Sequence, residues 1–516
     1  MDPSQPHLLE IPEQPQPPRN PPAKGERKLK TVDRRQTTLA TIYIEELIPT
    51  DHKARAIWDL VGRMDWSTFL APVQTMEGQV GRSAWDPRLL ISLWVYAYSE
   101  GISSAREIER IMQWEPGMQW LAGLTKVNHH TLSDFRVEHK EALDGLFTQL
   151  LALLESAGVI RLEQVMHDGS KIRAQAGADS FRREKTLRQR LEAARQVVAE
   201  MGDPRADGPV QNRGQAARER AARERAQRLE GALQELQELQ AQEKTEGEKQ
   251  QVRVSLSEPE ARLMKHGDQA IAPSYNAQIS TDAERTIIVG AQLSQCSSDA
   301  ASLLPALEEV EQKLGRKPDQ VVVDGGYTNR SNIVACAAQG IDLVGSLPDP
   351  AERSAAAMQA QGIAVEFAPS HFRILDGGER LECPAGCVLP RLRQNRKRGD
   401  LYQQYRARGA DCSVCPQQPR CCPRHPEQGR TVSIRIEERA EVAAFRQKME
   451  SEAYRGRYQK RGPIAEFPNA WIKEKLGLRK FRVRGLARAT AELLWACLTY
   501  NIMQWRRLIW RPAATA

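Results

Sequence analysis

Two aspartates of this 516-residue chain each stand where an apolar strand candidate meets glycine. Asp168 lies in QVMHDGSKIRAQA, which predicts a strand with a turn at Asp168-Gly169, and Asp324 lies in QVVVDGGY. Carboxylate oxygens are the ligands that Mg²⁺ prefers, and a pair of such ions stabilises both oxygens exchanged in phosphodiester cleavage. Singly, each aspartate could be an ordinary turn former. As a pair at two strand ends, they predict a metal-dependent centre for cutting phosphodiesters.

The predicted elements around these aspartates indicate one α/β sheet. Three strand candidates, QVMHDGSKIRAQA, SYNAQISTD and RTIIVGAQLSQ, precede the helical segment SLLPALEEVEQKLG. The strand QVVVDGGY, a helical stretch and the strand IDLVGSL follow. This order is the layout of a ribonuclease-H-like sheet, although the order alone fits other α/β folds. We therefore predict an α/β, ribonuclease-H-like catalytic domain over residues 161–510.

Two segments are predicted to interrupt that domain. The first, 178–255, carries apolar residues at helical spacing in two stretches separated by MGDPRADGP, which predicts a helical hairpin. Its charges are most simply a solvated face, although RERAARERAQR could also lie along DNA.

The second predicted insertion, 350–445, is rich in cysteine. It contains Cys383, Cys387, Cys412, Cys415, Cys421 and Cys422. Cys412-Ser-Val-Cys415 has the spacing of a zinc knuckle, and we name Cys383, Cys412, Cys415 and Cys421 as candidate Zn²⁺ ligands. Because six thiols compete for four places, the membership of the site stays open. The alternative is a small loop-rich module with free thiols.

A helical domain is predicted over residues 46–160, before the sheet. Apolar residues recur there at intervals of three and four. Ser104 followed by Glu107, and less closely Thr131 followed by Asp134, resemble capping boxes at helix starts. Two capped helices suit a helix-turn-helix-like DNA reader, and a plain helical bundle explains the same pattern. Residues 1–45 are polar and rich in Pro and Gln, which predicts a disordered leader.

The composition agrees with a polyanionic partner and an intracellular location. Lys and Arg total 74 against 66 Asp and Glu, a net charge of +8, and neutralised phosphates would release counterions. No apolar run is long enough for a membrane span, and the N-terminus lacks the apolar core of a signal peptide. We therefore expect a cytoplasmic protein without membrane partners, whose nine cysteines are thiols or metal ligands.

Near the C-terminus, Tyr458, Arg461, Glu466 and Lys473 resemble the tyrosine–arginine–glutamate–lysine signature of bacterial insertion-sequence DDE transposases. The stretch EFPNAWIKEKLGLRKFRVRGL and the closing segment ELLWACLTYNIMQW, including Asn501, are similar to the same family. One departure is that four residues separate Arg461 from Glu466, where the family usually has three. Arg457 is the other candidate arginine, but it lies even further from Glu466.

The resemblance implies a function, a metal and a set of site residues. Asp168, Asp324 and Glu466 would hold Mg²⁺ or Mn²⁺, and Tyr458, Arg461, Lys473 and Arg484 would bind DNA. The partners would be double-stranded DNA, as element ends and target, and a second copy of the chain, since a homodimer on DNA is expected. The enzyme would be nucleoid-associated when bound. The alternatives are a ribonuclease-H-like nuclease that does not transpose, and a catalytically idle, transposon-derived DNA-binding protein.

Overall fold

The computed structural model describes residues 41–73, 83–201, 213–243, 245–347, 358–397 and 399–512. The chain divides into residues 1–43 and a larger unit, Ile44–Ala516. Most of the predicted leader therefore lies outside the described residues, as does the predicted helix break after Met201. All that follows concerns the larger unit.

Seven helices form the first layer of this unit within its described residues. They are α1 (Lys53–Gly62), α2 (Ser67–Leu70), α3 (Pro87–Ser99), α4 (Ala105–Ile111), α5 (Pro116–Ala122), α6 (His129–Glu138) and α7 (Lys140–Ser156). Helix α3 is buried on nearly all sides from Leu90 to Tyr98, which is typical of a helix at the centre of a bundle. Asp86 starts it by accepting a hydrogen bond from the Arg88 N–H, with Pro87 in the first turn.

One of the two predicted capping boxes is placed wrongly. Ser104 does cap α4, because its side chain accepts a hydrogen bond from the Glu107 N–H. Helix α6, in contrast, is capped by Asn128, whose side chain accepts from the Thr131 N–H at 2.9 Å. Thr131 is therefore the third helical residue and not the cap. Asparagine caps a helix as well as threonine does, so the local sequence allowed either residue as the cap.

A six-stranded sheet forms the second layer. Its strands are β1 (Gln164–Arg173), β4 (Arg262–Lys265), β5 (Ile271–Asp282), β6 (Ile287–Ser294), β7 (Gln320–Val322) and β8 (Asp342–Val344). The order is β4-β5-β1-β7-β8, with β6 also paired to β5. Strand β5 is antiparallel to β1, β4 and β6, whereas β1, β7 and β8 are parallel. Helices α11 (Leu303–Leu314) and α12 (Arg330–Ala338) connect β6 to β7 and β7 to β8.

Between β1 and β4 the chain forms a pair of long helices. Helices α8 (Glu184–Glu200) and α9 (Arg213–Gln242) run antiparallel, with Leu187 and Leu191 packed against Leu229 and Leu236. The short strands β2 (Phe181–Arg182) and β3 (Val254–Ser255) pair at the base, where the helix α10 (Glu246–Gln251) also lies. The two ends of this segment are therefore adjacent in space.

A second sheet lies between β8 and the C-terminal helices. Its antiparallel strands are β9 (Arg373–Leu375), β10 (Arg380–Glu382), β11 (Val388–Lys397), β12 (Asp400–Arg406) and β13 (Thr431–Glu437), in the order β13-β12-β11-β10-β9. Two short helices, α13 (Gly409–Ser413) and α14 (Gln418–Cys421), carry cysteines between β12 and β13.

Four helices close the chain: α15 (Ala440–Glu450), α16 (Glu452–Gln459), α17 (Arg461–Glu474) and α18 (Leu486–Leu508). Helix α18 packs against β6 of the main sheet and against α3 and α7 of the helical layer. Asn501 on α18 is fully buried, and its amide exchanges hydrogen bonds with the N–H and C=O of Ile288 on β6. The two layers thus share one core. No helix in the described residues has the length and apolar character that crossing a membrane requires.

Candidate active site

Asp168 and Asp324 are brought together by the pairing of β1 with β7. The parallel register places Val165 opposite Val321 and Met166 opposite Val322. Asp168 and Asp324 each lie two residues beyond that last pair, so Asp168, inside β1, is level with Asp324, just beyond β7. The Asp324 carboxylate accepts hydrogen bonds from the N–H groups of Gly326, at 2.7 Å, and Tyr327, at 3.4 Å. A turn is therefore present at Gly325-Gly326, and the Asp324 carboxylate holds it.

The Asp168 carboxyl is in a poorly solvated place. Burial raises its pKa from 3.8 to about 6, opposed by the Arg461 guanidinium and assisted by the negative charge of Asp324. Arg461 Nη1 lies 3.7 Å from Asp168 Oδ1. This electrostatic coupling shows that Asp168, Asp324 and Arg461 share one neighbourhood.

Helix α17 carries the third predicted acid across the end of the sheet. Its buried residue Ala465 packs on Met166 of β1 and Val322 of β7. Glu466 is the next residue and is exposed. Pro468 lies inside this helix without ending it, so Glu466 stands in the helix and not ahead of it. Arg461 is the first helical residue.

The three acids are not gathered into a metal-binding group here. Within the described residues, no three His, Cys, Asp or Glu side chains are arranged closely enough to hold a metal ion. The donor chemistry nevertheless fits a hard divalent cation, because Asp168 of β1 and Asp324 just beyond β7 lie at the same height on adjacent strands. Asp324 faces its own turn, and Glu466 extends from α17 on a flexible side chain, so both would have to change rotamer to join Asp168.

The other predicted DNA-binding residues are distributed unevenly. Tyr458 is half-buried and packs beside Met166 and Val322 under the site. Lys473 is half-buried, and burial lowers its pKa while the Asp168 carboxylate opposes that shift. Arg484 is exposed ahead of α18 and makes no hydrogen bond or ion pair with the three acids. The alternative arginine, Arg457, lies 4.0 Å from Asp342 and over the Tyr454 ring, so Arg461 is the arginine at the site.

A buried polar network beside Asp168 was not foreseen. It consists of His167, Asn276, Gln278, Ser280, Asp299 and Tyr327. The Gln278 carbonyl oxygen accepts from the Tyr327 hydroxyl at 2.6 Å and lies 3.0 Å from His167 Nε2. The Gln278 amide nitrogen donates to Asp299 at 3.0 Å, and Asn276 also donates to Asp299, at 2.7 Å. Burial lowers the pKa of His167 to about 4, so its ring is neutral and the charge of the network is on Asp299.

The hydrogen bonds fix the tautomer of His167. Because Gln278 Oε1 can only accept, His167 Nε2 carries the proton, and Nδ1 accepts from the Ser280 hydroxyl at 2.9 Å. A signal for this network was present in the sequence. Asn276, Gln278 and Ser280 alternate along β5, a strand that is buried throughout this stretch, and polar residues buried at alternate positions need partners.

Gly169 is explained by close packing and not by a turn. Strand β1 continues through Gly169 to Arg173, so the predicted turn at Asp168-Gly169 is wrong. A Cβ at Gly169 would lie 2.6 Å from the Tyr327 hydroxyl and 2.7 Å from Asp299 Oδ1. The glycine is therefore required because the network presses against the strand next to the catalytic candidate.

The six clustered cysteines line one small cavity between β10, β11 and the helices α13 and α14. Two sulfurs accept backbone hydrogen bonds: Cys383 from the Cys387 N–H at 3.2 Å, and Cys412 from the Arg430 N–H at 3.4 Å. Burial raises the pKa of Cys421 to about 11. Cys336 and Cys497 are buried elsewhere, whereas Cys296 is exposed.

Comparison with known families finds two matches, both to transposase domains. Residues 382–506 match a family model described as Transposase DDE domain. Residues 42–138 match one described as Transposase domain (DUF772). Both matches support a DDE transposase of an insertion sequence. No curated protein matches it. The first match spans the cysteines, Glu466 and Lys473, whereas Asp168 and Asp324 of this transposase lie outside both matched ranges.

The poor solvation of Asp168 generates a stability prediction for the metal-free transposase. Its pKa in the folded chain, about 6, exceeds the ordinary 3.8, so folding disfavours the ionised form. That destabilisation is complete above about pH 6 and absent below about pH 4. Asp168→Asn should therefore raise the free energy of unfolding at pH 8 by about 2–3 kcal/mol, and by much less at pH 4.

Chemical denaturation at both pH values in the presence of a chelator measures this effect. Asp134→Asn, at an exposed position on α6, is the matched control and should change stability by less than about 0.5 kcal/mol. Equal stability of wild type and Asp168→Asn at pH 8 would contradict the account of the site's electrostatics.

Proposed function

We propose that this transposase binds the terminal inverted repeats of its insertion sequence and there cleaves and transfers DNA strands. Asp168, Asp324 and Glu466 are the proposed ligands of two Mg²⁺ or Mn²⁺ ions. The observation that carries the proposal is the parallel β1–β7 register, which brings Asp168 of β1 level with Asp324 just beyond β7, with α17 packed on both strands. The order β6-β5-β1-β7-β8, with the first two pairings antiparallel and the last two parallel, supports a ribonuclease-H-like fold.

The proposed reaction has two phosphoryl transfers at each end of the element. Water attacks the phosphodiester and leaves a 3′-hydroxyl, and that hydroxyl then attacks a phosphodiester of the target DNA. Bound divalent cations would supply charge stabilisation at the attacking and leaving oxygens. The chain's own part is to converge the carboxylates from rigid elements, since β1, β7 and α17 share buried contacts at Met166, Val322 and Ala465.

Cationic residues around the acids are proposed to hold the DNA. Arg461, beside Asp168, would bind a phosphate close to the cut, because its guanidinium matches two phosphate oxygens. Lys473 lies at the other end of the same helix, near Asp168. Tyr458 would support the helix, and the exposed Arg484 would contact DNA further away.

The helical layer is the proposed reader of the element ends. Residues 42–138 match a transposase domain, and we assign end binding to the domain 46–160. Both ends must be held together for transfer, so we propose a homodimer on DNA. The segments 178–255 and 350–445 are proposed to be insertions in the catalytic domain 161–510. The pairing of β2 with β3 brings the two ends of the first together, and the second sheet lies in sequence between β8 of the main sheet and α15.

The assignment of the three acids makes the next prediction. Asp168→Asn, Asp324→Asn and Glu466→Gln should each abolish Mg²⁺-dependent cleavage of a duplex that carries an element end, because each removes one charged ligand. Binding of the same duplex should persist. Cleavage gels and gel-shift titrations of the full-length protein separate the two properties.

Glu474→Gln is the matched control for Glu466→Gln, because Glu474 lies on the same helix and pairs with Arg479 at 2.5 Å. It should cleave at close to the wild-type rate. If Glu466→Gln cleaves normally, or if Glu474→Gln is the inactive variant, the ligand assignment is wrong. If wild type cuts but never joins strands, the protein is a nuclease without transposition.

We also propose a structural Zn²⁺ site in the cysteine module, with Cys383, Cys412, Cys415 and Cys421 as the ligands. What supports it is the convergence of six cysteines on one cavity and the backbone N–H groups that donate to Cys383 and Cys412. Structural zinc is held by four thiolates or imidazoles at tetrahedral geometry. Deprotonation of the buried Cys421 thiol would accompany metal binding.

The zinc proposal predicts about one zinc per chain in protein purified under reducing conditions. Cys412→Ser should lower that content to near zero and make the segment around α13 and α14 sensitive to protease. Cys296→Ser, an exposed thiol outside the module, should keep the full content. Elemental analysis that finds no zinc in the wild-type protein would remove the proposal.

A further inference from the structure

A small polar cavity adjoins Asp168 on the side of Gly169. Its volume is about 310 Å³, and Gly169, Ser170 and Lys171 of β1 form part of its wall. The turn after β4, with Lys265 and His266, forms another part, and Lys473 of α17 completes it. Three elements that are distant in sequence therefore direct lysines to one place.

The cavity carries an excess of positive charge. Among the described residues, no carboxylate oxygen lies within 4.0 Å of the ammonium nitrogen of Lys171, Lys265 or Lys473. The one acid in the wall, Asp299, is engaged by the amides of Asn276 and Gln278. Burial, together with the nearby cations Arg173, Lys473 and Lys171, lowers the pKa of His266, which agrees with a positive potential there.

The lysine cavity is also held in a defined shape. The Lys171 ammonium donates to the Lys265 carbonyl oxygen at 2.8 Å, which ties the turn to β1. His266 Nε2 lies 2.7 Å from the Ser274 hydroxyl, and the His266 N–H bonds to the Ala270 carbonyl to close the turn. The Lys171 side chain and the Lys265 backbone are therefore tied to each other near Asp168 before any ligand binds.

We propose that this cavity is a subsite for a backbone phosphate of the DNA next to the one that is cut, with Lys171 and Lys265 as ligands beside Lys473. The inference rests on the proposed function. Ser170 and Lys171 lie two and three residues beyond Asp168 on an extended strand, about 7–10 Å along it. That distance corresponds to roughly one to three nucleotides of a DNA strand. The subsite would fix the register of the strand on the acids.

The test joins a protein change to a change in the DNA. Full-length wild type and Lys265→Gln are titrated, without Mg²⁺, with duplexes that carry an element end and its flank. In each duplex one phosphate near the cut is replaced by an uncharged methylphosphonate. Lys265 is exposed, so its substitution leaves the fold intact. Lys317→Gln, a lysine beyond α11 with one ion pair to Glu311, is the control.

Lys265→Gln should weaken binding of the unmodified duplex by about tenfold, as expected for a lost charged hydrogen bond, and reduce the salt slope of log K by about 0.9. At one methylphosphonate position within three nucleotides of the cut, wild type and Lys265→Gln should bind equally. Lys171→Gln should show the same coupling at the same position, and Lys317→Gln at none.

If the loss of affinity from Lys265→Gln adds to the loss from the methylphosphonate at every position, the subsite is overturned. That result would point to a free anion or to diffuse electrostatic attraction. An affinity of Lys265→Gln equal to that of the control would also overturn the subsite. Cleavage of the unmodified duplex by wild type with Mg²⁺ is measured in parallel. Absence of that cleavage overturns the proposed function instead, so the two failures are distinguishable.

Discussion

The parallel pairing of β1 with β7 is the constraint on which the site depends. A sheet register is fixed by side-chain alternation, and a slip of one residue would turn every buried side chain outward. Because Met166 faces Val322 and both are fully buried under Ala465, the register is held by packing on one face. The same contacts hold Asp168, Asp324 and helix α17 next to one another. Helix α18 then joins this sheet to the helical layer through a common core, so the acids and the proposed end-binding domain have a fixed relation.

Burial positions Asp168 and also destabilises its ionised form. Asp168 is held where its charge is poorly solvated, next to the like charge of Asp324. Such a carboxylate is stabilised by a bound cation. Carboxyl groups with perturbed pKa values are therefore typical of functional sites. The neutral His167 and its hydrogen-bonded partners fill the space behind Gly169 without adding charge. Only Asp299 contributes charge to that network, and two amides hold it in place.

Much of this arrangement follows from local sequence pattern, and the remainder depends on contacts between distant residues. The strands around Asp168 and Asp324, the helix before β7 and the helical pair after β1 are visible as periodic apolar residues. The cap of α6 was placed wrongly because Asn128 and Thr131 have similar local preferences. The predicted turn at Gly169 was wrong because the glycine is required by its close packing against Tyr327 and Asp299, which are more than 100 residues away in sequence. Pro468 remains helical because tertiary packing of Ala465 and Ile472 outweighs one lost hydrogen bond.

Asp168, Asp324 and Glu466 are proposed to converge on one divalent-cation site. Fe²⁺ bound in place of Mg²⁺ reduces added hydrogen peroxide to a hydroxyl radical and hydroxide, and ascorbate regenerates the Fe²⁺. The radicals cut the nearest peptide bonds, so fragment mapping reports the ligands without DNA or an activity assay. A site shared by the three acids predicts cuts close to residues 168, 324 and 466. Mg²⁺ should suppress these cuts, and Asp168→Asn should eliminate them. Mg²⁺-sensitive cuts that omit the neighbourhood of residue 466, or that fall elsewhere in the chain, would contradict it.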